Sequence, residues 1–273
     1  MQFASLPFGY MIVVRLRTRF RVVSFFLTEW IPLALALKLA YRASFWLTIL
    51  MLAGNFTAYE CGHFFNDLAD SAIDVNGDHL EGRKIGVAGF ILSHFLVFIV
   101  VVAVVFYAKG PRFALTYATL SVLVLLAFLW HTTRWPRSFR FLRLFSFAFL
   151  YLYKFAPVIV PQVPITDALW ILAGMFFCWG FWRVLFYTMV KFGGPLTASG
   201  DDFDPLRLLH LTSLVIGAPL LLSGWFSTPR NIATTVLWFV YAAIAILRTG
   251  TQLTNWRLTP EQFLGKGPKR AGG

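Results

Sequence analysis

Eight stretches of predominantly apolar residues constrain this chain more than any other feature. They fall at 22–40, 45–66, 86–107, 113–131, 141–162, 167–190, 207–225 and 231–248. About 20 such residues span a hydrocarbon layer roughly 30 Å thick. Inside that layer every backbone N–H and C=O must be satisfied within the protein, and a helix does this one segment at a time. The pattern predicts an all-α fold, a polytopic transmembrane helical bundle of eight spans in one domain covering 1–273. Charge content agrees, since 13% of residues are charged against about 25% in soluble domains.

The ends read differently from the spans. Met1 to Val14 is apolar, but the basic residues Arg15, Arg17, Arg19 and Arg21 follow it rather than precede it. That order argues against a secretory signal and predicts an interfacial N-terminal segment over 1–21. The tail over 249–273 is polar and is expected to be loosely ordered. Cys61 and Cys178 both lie in apolar stretches and suggest neither a disulfide framework nor a thiolate metal site.

Orientation follows from the basic residues. With the N-terminus in the cytoplasm and eight spans threaded, 17 of the 24 Lys and Arg fall in cytoplasmic segments or at the span edges that border them. Five fall on the opposite side: Lys38, Arg42, Lys109, Arg112 and Arg230. This asymmetry places both termini in the cytoplasm. It also accounts for the net charge of +12 as topology plus attraction to anionic lipid in the bilayer. No nucleic-acid partner is required.

The acids are concentrated. Asp67, Asp70, Asp74, Asp78 and Glu81 lie at or after the end of the second span, and Asp201, Asp202 and Asp204 lie after the sixth. Eight of the twelve acids thus occupy two loops, which the topology puts on one face. Spacings of three and four place Asp67, Asp70 and Asp74 on a single helical stripe, with Asn66 at its edge. Like charges on one stripe repel unless a cation lies between them. Mg²⁺ takes hard oxygen ligands together with substrate phosphates, so the stripe is a candidate metal and catalytic site. A solvated helix end is the plainer alternative.

Cations for an anionic substrate lie on the same face. Arg83 and Lys84 follow the first acidic group, Arg134 and Arg137 lie between spans four and five, and Lys191 precedes the second group. Each also serves topology. Lys154 lies inside a span beside Tyr151 and Tyr153, where a charge is costly and needs a partner. It is either a phosphate contact or half of an intramembrane ion pair, and Tyr187 shares a helix face with Lys191.

Asn66-Asp67-x-x-Asp70-x-x-x-Asp74 resembles the first aspartate-rich motif of the UbiA-type intramembrane prenyltransferase superfamily, over a layout running from about residue 20 to 248. The resemblance implies a helical bundle of eight or nine spans with a central cavity opening to lipid. It implies an isoprenyl diphosphate bound through Mg²⁺ and transfer of the prenyl group to a small-molecule acceptor, aromatic or other. It makes Asp67, Asp70 and Asp74 metal ligands, assigns Asn66 to orienting the diphosphate, and matches Arg83 to the basic residue after the motif. The second motif departs from the family. Where Asp-x-x-x-Asp is usual, this chain has Gly200-Asp201-Asp202-Phe203-Asp204-Pro205, which leaves open which aspartates bind metal. A terpene cyclase of the same superfamily needs the same site, and a transporter or lipid-binding protein is the non-enzymatic alternative.

Overall fold

The computed structural model describes residues 3–16, 26–70, 85–132, 154–175 and 229–253. Among these residues all regular structure is helical. The α-helices, in chain order, are α1 (Ile31–Tyr41), α2 (Phe45–Asp70), α3 (Val87–Lys109), α4 (Pro111–Thr132), α5 (Ala156–Ile159), α6 (Ile165–Met175) and α7 (Pro229–Leu253). Shorter 3₁₀ and π-helical segments, Phe3–Ser5, Met11–Leu16 and Phe26–Trp30, precede them.

Local chemistry sets the helix ends. Arg42 closes α1 in the left-handed conformation (φ 55°), and its amide donates to the Lys38 carbonyl at 3.1 Å. This is a helix stop that normally favours glycine. Ser44 then starts α2: its hydroxyl accepts from Leu47 N–H at 3.4 Å, and its carbonyl accepts from Thr48 N–H at 3.0 Å, the arrangement of a serine N-cap. Between α3 and α4 the chain reverses on Gly110 alone, whose φ of 86° needs a residue without Cβ. Pro111 follows at the first helical position, where a missing N–H costs nothing.

α2 is the central helix, packing on α3 and α4, while α1 packs against α7, which also meets α6. The core they share includes Leu33, Leu37, Met51, Val105, Tyr117, Ile159, Ile171 and Leu237. Close approach at α2 rests on small residues, as in many membrane helix contacts. A Cβ built at Gly54 would lie 2.7 Å from Val101 Cγ1 and 2.5 Å from the Tyr117 hydroxyl, which itself donates to the Met51 carbonyl at 2.8 Å. Val101 is stiff at χ1 and cannot swing aside. Gly54→Ala is therefore expected to destabilise the bundle by about 1–3 kcal/mol, the usual cost of overpacking. Thermal unfolding in detergent measures it, and an unchanged midpoint would show that α2 and α3 have room to part.

Two helices, Val87–Lys109 and Pro111–Leu129, are long and apolar enough to cross a membrane. Their apolar side chains point outward as well as inward. Leu92, Leu96, Val100 and Val104 form an exposed ridge at intervals of four along α3, and Leu115, Val122 and Leu126 are exposed on α4. A contiguous apolar exterior of this kind suits lipid and not water.

The expected spans at 86–107 and 113–131 correspond to α3 and α4, and 231–248 lies within α7. The span at 45–66 is part of α2, which continues to Asp70. The described part of 22–40 is divided between the π-helical Phe26–Trp30 and α1. The expectation of one continuous span over 141–162 is corrected in its described part. Residues 154–164 hold only the short α5 between turns, because Pro157 enters at its start while Pro161 and Pro164 follow it, and proline cannot continue a helix. The described part of 167–190 is α6, and 207–225 lies outside the described residues. The described part of the N-terminal segment packs against α2 and α3, where Tyr10 is completely buried with Cys61, Phe64 and Phe90.

The five cations assigned to one side of the membrane gather at one end of the bundle. Lys38 and Arg42 close α1, Lys109 and Arg112 flank the Gly110 reversal, and Arg230 opens α7 with its guanidinium 5.2 Å from the Trp170 ring. Trp46 and Tyr107, both strongly exposed, stand at the same end, as interfacial aromatics do. There the Tyr41 hydroxyl donates to Asp167 at 2.9 Å, tying α1 to α6. Burial and that bond push the phenol above its ordinary range.

Candidate metal and diphosphate site

The opposite end of α2 carries the acidic motif. The helix is 26 residues long, or about 39 Å at 1.5 Å per residue, so it exceeds a hydrocarbon thickness of about 30 Å. Asn66, Asp67 and Asp70 occupy its last turns. Asp67 is 4% exposed, and its carboxylate Oδ2 accepts the hydroxyl of Tyr10 from the N-terminal segment. The Tyr10 ring is held edge-on between Phe64 (5.5 Å between centroids) and Phe90 (5.9 Å), and these two stack on each other.

Two turns earlier on α2, Glu60 fixes the same segment. It is fully buried, Oε2 accepts Phe8 N–H at 2.7 Å, and Oε1 accepts Met11 N–H at 2.8 Å. Phe8 adopts φ 67°, an unusual state for a bulky residue that its surroundings must impose. Its ring stacks on Phe56 at 5.3 Å. His94 of α3 completes the group, with Nε2 3.0 Å from Glu60 Oε2 and Nδ1 2.7 Å from the Phe90 carbonyl. A carbonyl only accepts, so Nδ1 carries hydrogen.

Glu60→Gln exchanges one acceptor oxygen for an NH₂ that faces donors. Leaving a buried amide unmatched costs about 1–3 kcal/mol. The variant is expected to melt earlier and to expose residues 3–16 to limited proteolysis, followed by mass spectrometry. Wild-type protection would mean that Glu60 does not hold the segment.

Lys154 is 6% exposed, and its ammonium donates to the buried carboxylate of Glu29. It also sits 4.8 Å from the Phe155 ring centroid and 5.1 Å from that of Tyr59, in favourable cation–π positions. The Asn55 side-chain amide donates to its carbonyl. Of the two roles open to Lys154, the ion pair is the one seen, and it is buried. Its neighbour Tyr59 precedes Asp67 by eight positions, about 12 Å along α2.

The other sequence-predicted site residues, Asp74, Arg83, Lys84, Arg134, Arg137, Tyr151, Tyr187, Lys191, Asp201, Asp202 and Asp204, lie outside the described residues. Among the described residues no three His, Cys, Asp or Glu side chains converge on one point. Sequence reasoning passed over Tyr10, Glu29, Glu60 and His94. Glu29 and Glu60 carried a signal, because an acid inside an apolar span demands a partner as much as a lysine does. Comparison with protein-family models, curated proteins and solved structures gave no match.

Proposed function

We propose that the chain is a Mg²⁺-dependent intramembrane prenyltransferase, in a bundle of eight or nine spans with its acidic motifs and termini on the cytoplasmic side. The observation that carries this reading is the position of Asp67. One ordered helix, longer than a bilayer core is thick, lifts Asp67 and Asp70 to the end away from Trp46 and Tyr107, where a diphosphate headgroup would reside while its isoprenyl chain lies in hydrocarbon.

The donor set fits Mg²⁺, which takes carboxylate oxygens. Asp67 and Asp70, three positions apart on one helix, would hold it with Asp74 and with aspartates from Asp201, Asp202 and Asp204. When bound, the metal supplies Lewis-acid neutralisation of a leaving diphosphate. The chain's own residues do the rest. Arg83, Lys84, Arg134, Arg137 and Lys191 offer positive charge to the diphosphate, and Asn66, Tyr151 and Tyr187 offer hydrogen bonds. The allylic C–O bond breaks towards a carbocation, its electron pair leaving with the diphosphate; the apolar interior shields the cation from water until an acceptor captures it and gives up a proton to the departing diphosphate or to solvent.

The experiment is incubation of the purified protein with Mg²⁺ and isoprenyl diphosphates of several lengths, with and without aromatic acceptors. Diphosphate release that requires an acceptor is the expected result. Release of a cyclic hydrocarbon without an acceptor would reassign the site to a terpene cyclase. No turnover at any chain length would overturn both and leave a transporter or lipid-binding role.

A further inference from the structure

We propose that Tyr10 is a positioning residue for the cation site, setting the orientation of the Asp67 carboxylate from the N-terminal segment. The inference rests on the metal reading of Asp67 and names a residue that the acidic motif does not contain. Three observations carry it. The Tyr10 hydroxyl donates to Asp67 Oδ2 across 57 positions of sequence. The ring has no freedom to move, being completely buried and held edge-on by Phe64 and Phe90. The backbone on either side of it is anchored independently, since Glu60 accepts both Phe8 N–H and Met11 N–H. A hydroxyl held this firmly fixes one carboxylate oxygen and thereby directs the other.

A carboxylate that ligates a metal is ordinarily held by such an outer hydrogen bond, and losing it costs roughly 10- to 100-fold in metal affinity. Phenol oxygen is itself a poor Mg²⁺ ligand next to carboxylate, so orientation is the chemical role open to Tyr10 while it donates to Asp67. The Glu60–His94 pair acts one step further out, as the clamp on the segment that carries the ring.

Titration of the purified full-length protein with Mn²⁺, followed by the loss of its free-ion electron paramagnetic resonance signal, tests this without reference to turnover. Tyr10→Phe keeps the ring and removes only the hydroxyl. It is expected to weaken Mn²⁺ binding about 10- to 100-fold, with the circular dichroism spectrum and gel-filtration elution of the wild type. Asp67→Asn is expected to weaken it further, and adding Tyr10→Phe to Asp67→Asn should then change little. Glu60→Gln gives a second arm, loosening the segment without touching either partner, and is expected to weaken Mn²⁺ binding less than Tyr10→Phe does. Wild-type affinity in folded Tyr10→Phe overturns the positioning role and leaves the metal reading intact. Wild-type protein that binds no Mn²⁺, or Asp67→Asn that binds it normally, overturns the metal reading and this inference with it.

Discussion

Lys154→Met is expected to destabilise the protein by about 3–5 kcal/mol, the cost of removing one member of a buried ion pair. Glu29 is 1% exposed and Lys154 6%, so water reaches neither, and the carboxylate deprived of its ammonium has no solvent to turn to. The aromatic faces of Tyr59 and Phe155 also lose the cation they surround. Replacing the pair with groups of similar shape should behave differently, because apolar substitutes for buried ion pairs are often neutral or better. The double variant Lys154→Met with Glu29→Leu is expected to recover most of the loss in unfolding experiments in detergent. Equal destabilisation in the single and double variants would count against the pair. The double variant also separates the two roles considered for Lys154. If it folds and retains the wild-type KM for an isoprenyl diphosphate, Lys154 belongs to the ion pair alone. A raised KM would restore it to the phosphate contacts.

Asp67→Asn is expected to abolish most Mg²⁺-dependent release of diphosphate. A fall of roughly 10²–10³ in kcat is the scale on which a single preorganised charge-stabilising contact registers. The substitution is nearly isosteric and keeps an oxygen able to accept the Tyr10 hydroxyl, so the fold should survive. Asp70→Asn is expected to act in the same direction. Asp67 and Asp70 stand three positions apart on α2, so removing one negative charge relieves repulsion and neither variant should melt below the wild type. Loss of folding would give these acids a structural role, and unchanged turnover would detach them from catalysis.

Some parts of this architecture were legible from sequence for clear reasons. Where an apolar run matched bilayer thickness and ended at strong punctuation, as at Gly110-Pro111, helix and turn coincided with expectation to within two residues. At the far end of α2 the apolar run stops but the helix does not, since helical backbone bonding does not depend on apolar side chains. Hydropathy therefore ends at 66 and the backbone continues to Asp70. Asp67 stood out in the sequence because spacing along one helix is a local property. Its partner Tyr10 did not, because their contact spans 57 positions and depends on how the N-terminal segment folds back. The same holds for Lys154 and Glu29, 125 positions apart. The need for a partner was visible in each sequence neighbourhood, but the choice of partner is a tertiary decision.

The anchoring of the N-terminal segment also bears on how the protein is made. Synthesis proceeds from the N-terminus, so Phe8 leaves the ribosome 52 positions ahead of Glu60, and Glu60 34 positions ahead of His94. Until α2 arrives, the amides of Phe8 and Met11 have no carboxylate to receive them, and until α3 arrives Glu60 has no imidazole. The contacts of this segment are consequently completed only after both later helices have been made. Closure of the segment onto α2 and α3 requires both helices, which makes protection of residues 3–16 a natural marker for following the protein's maturation.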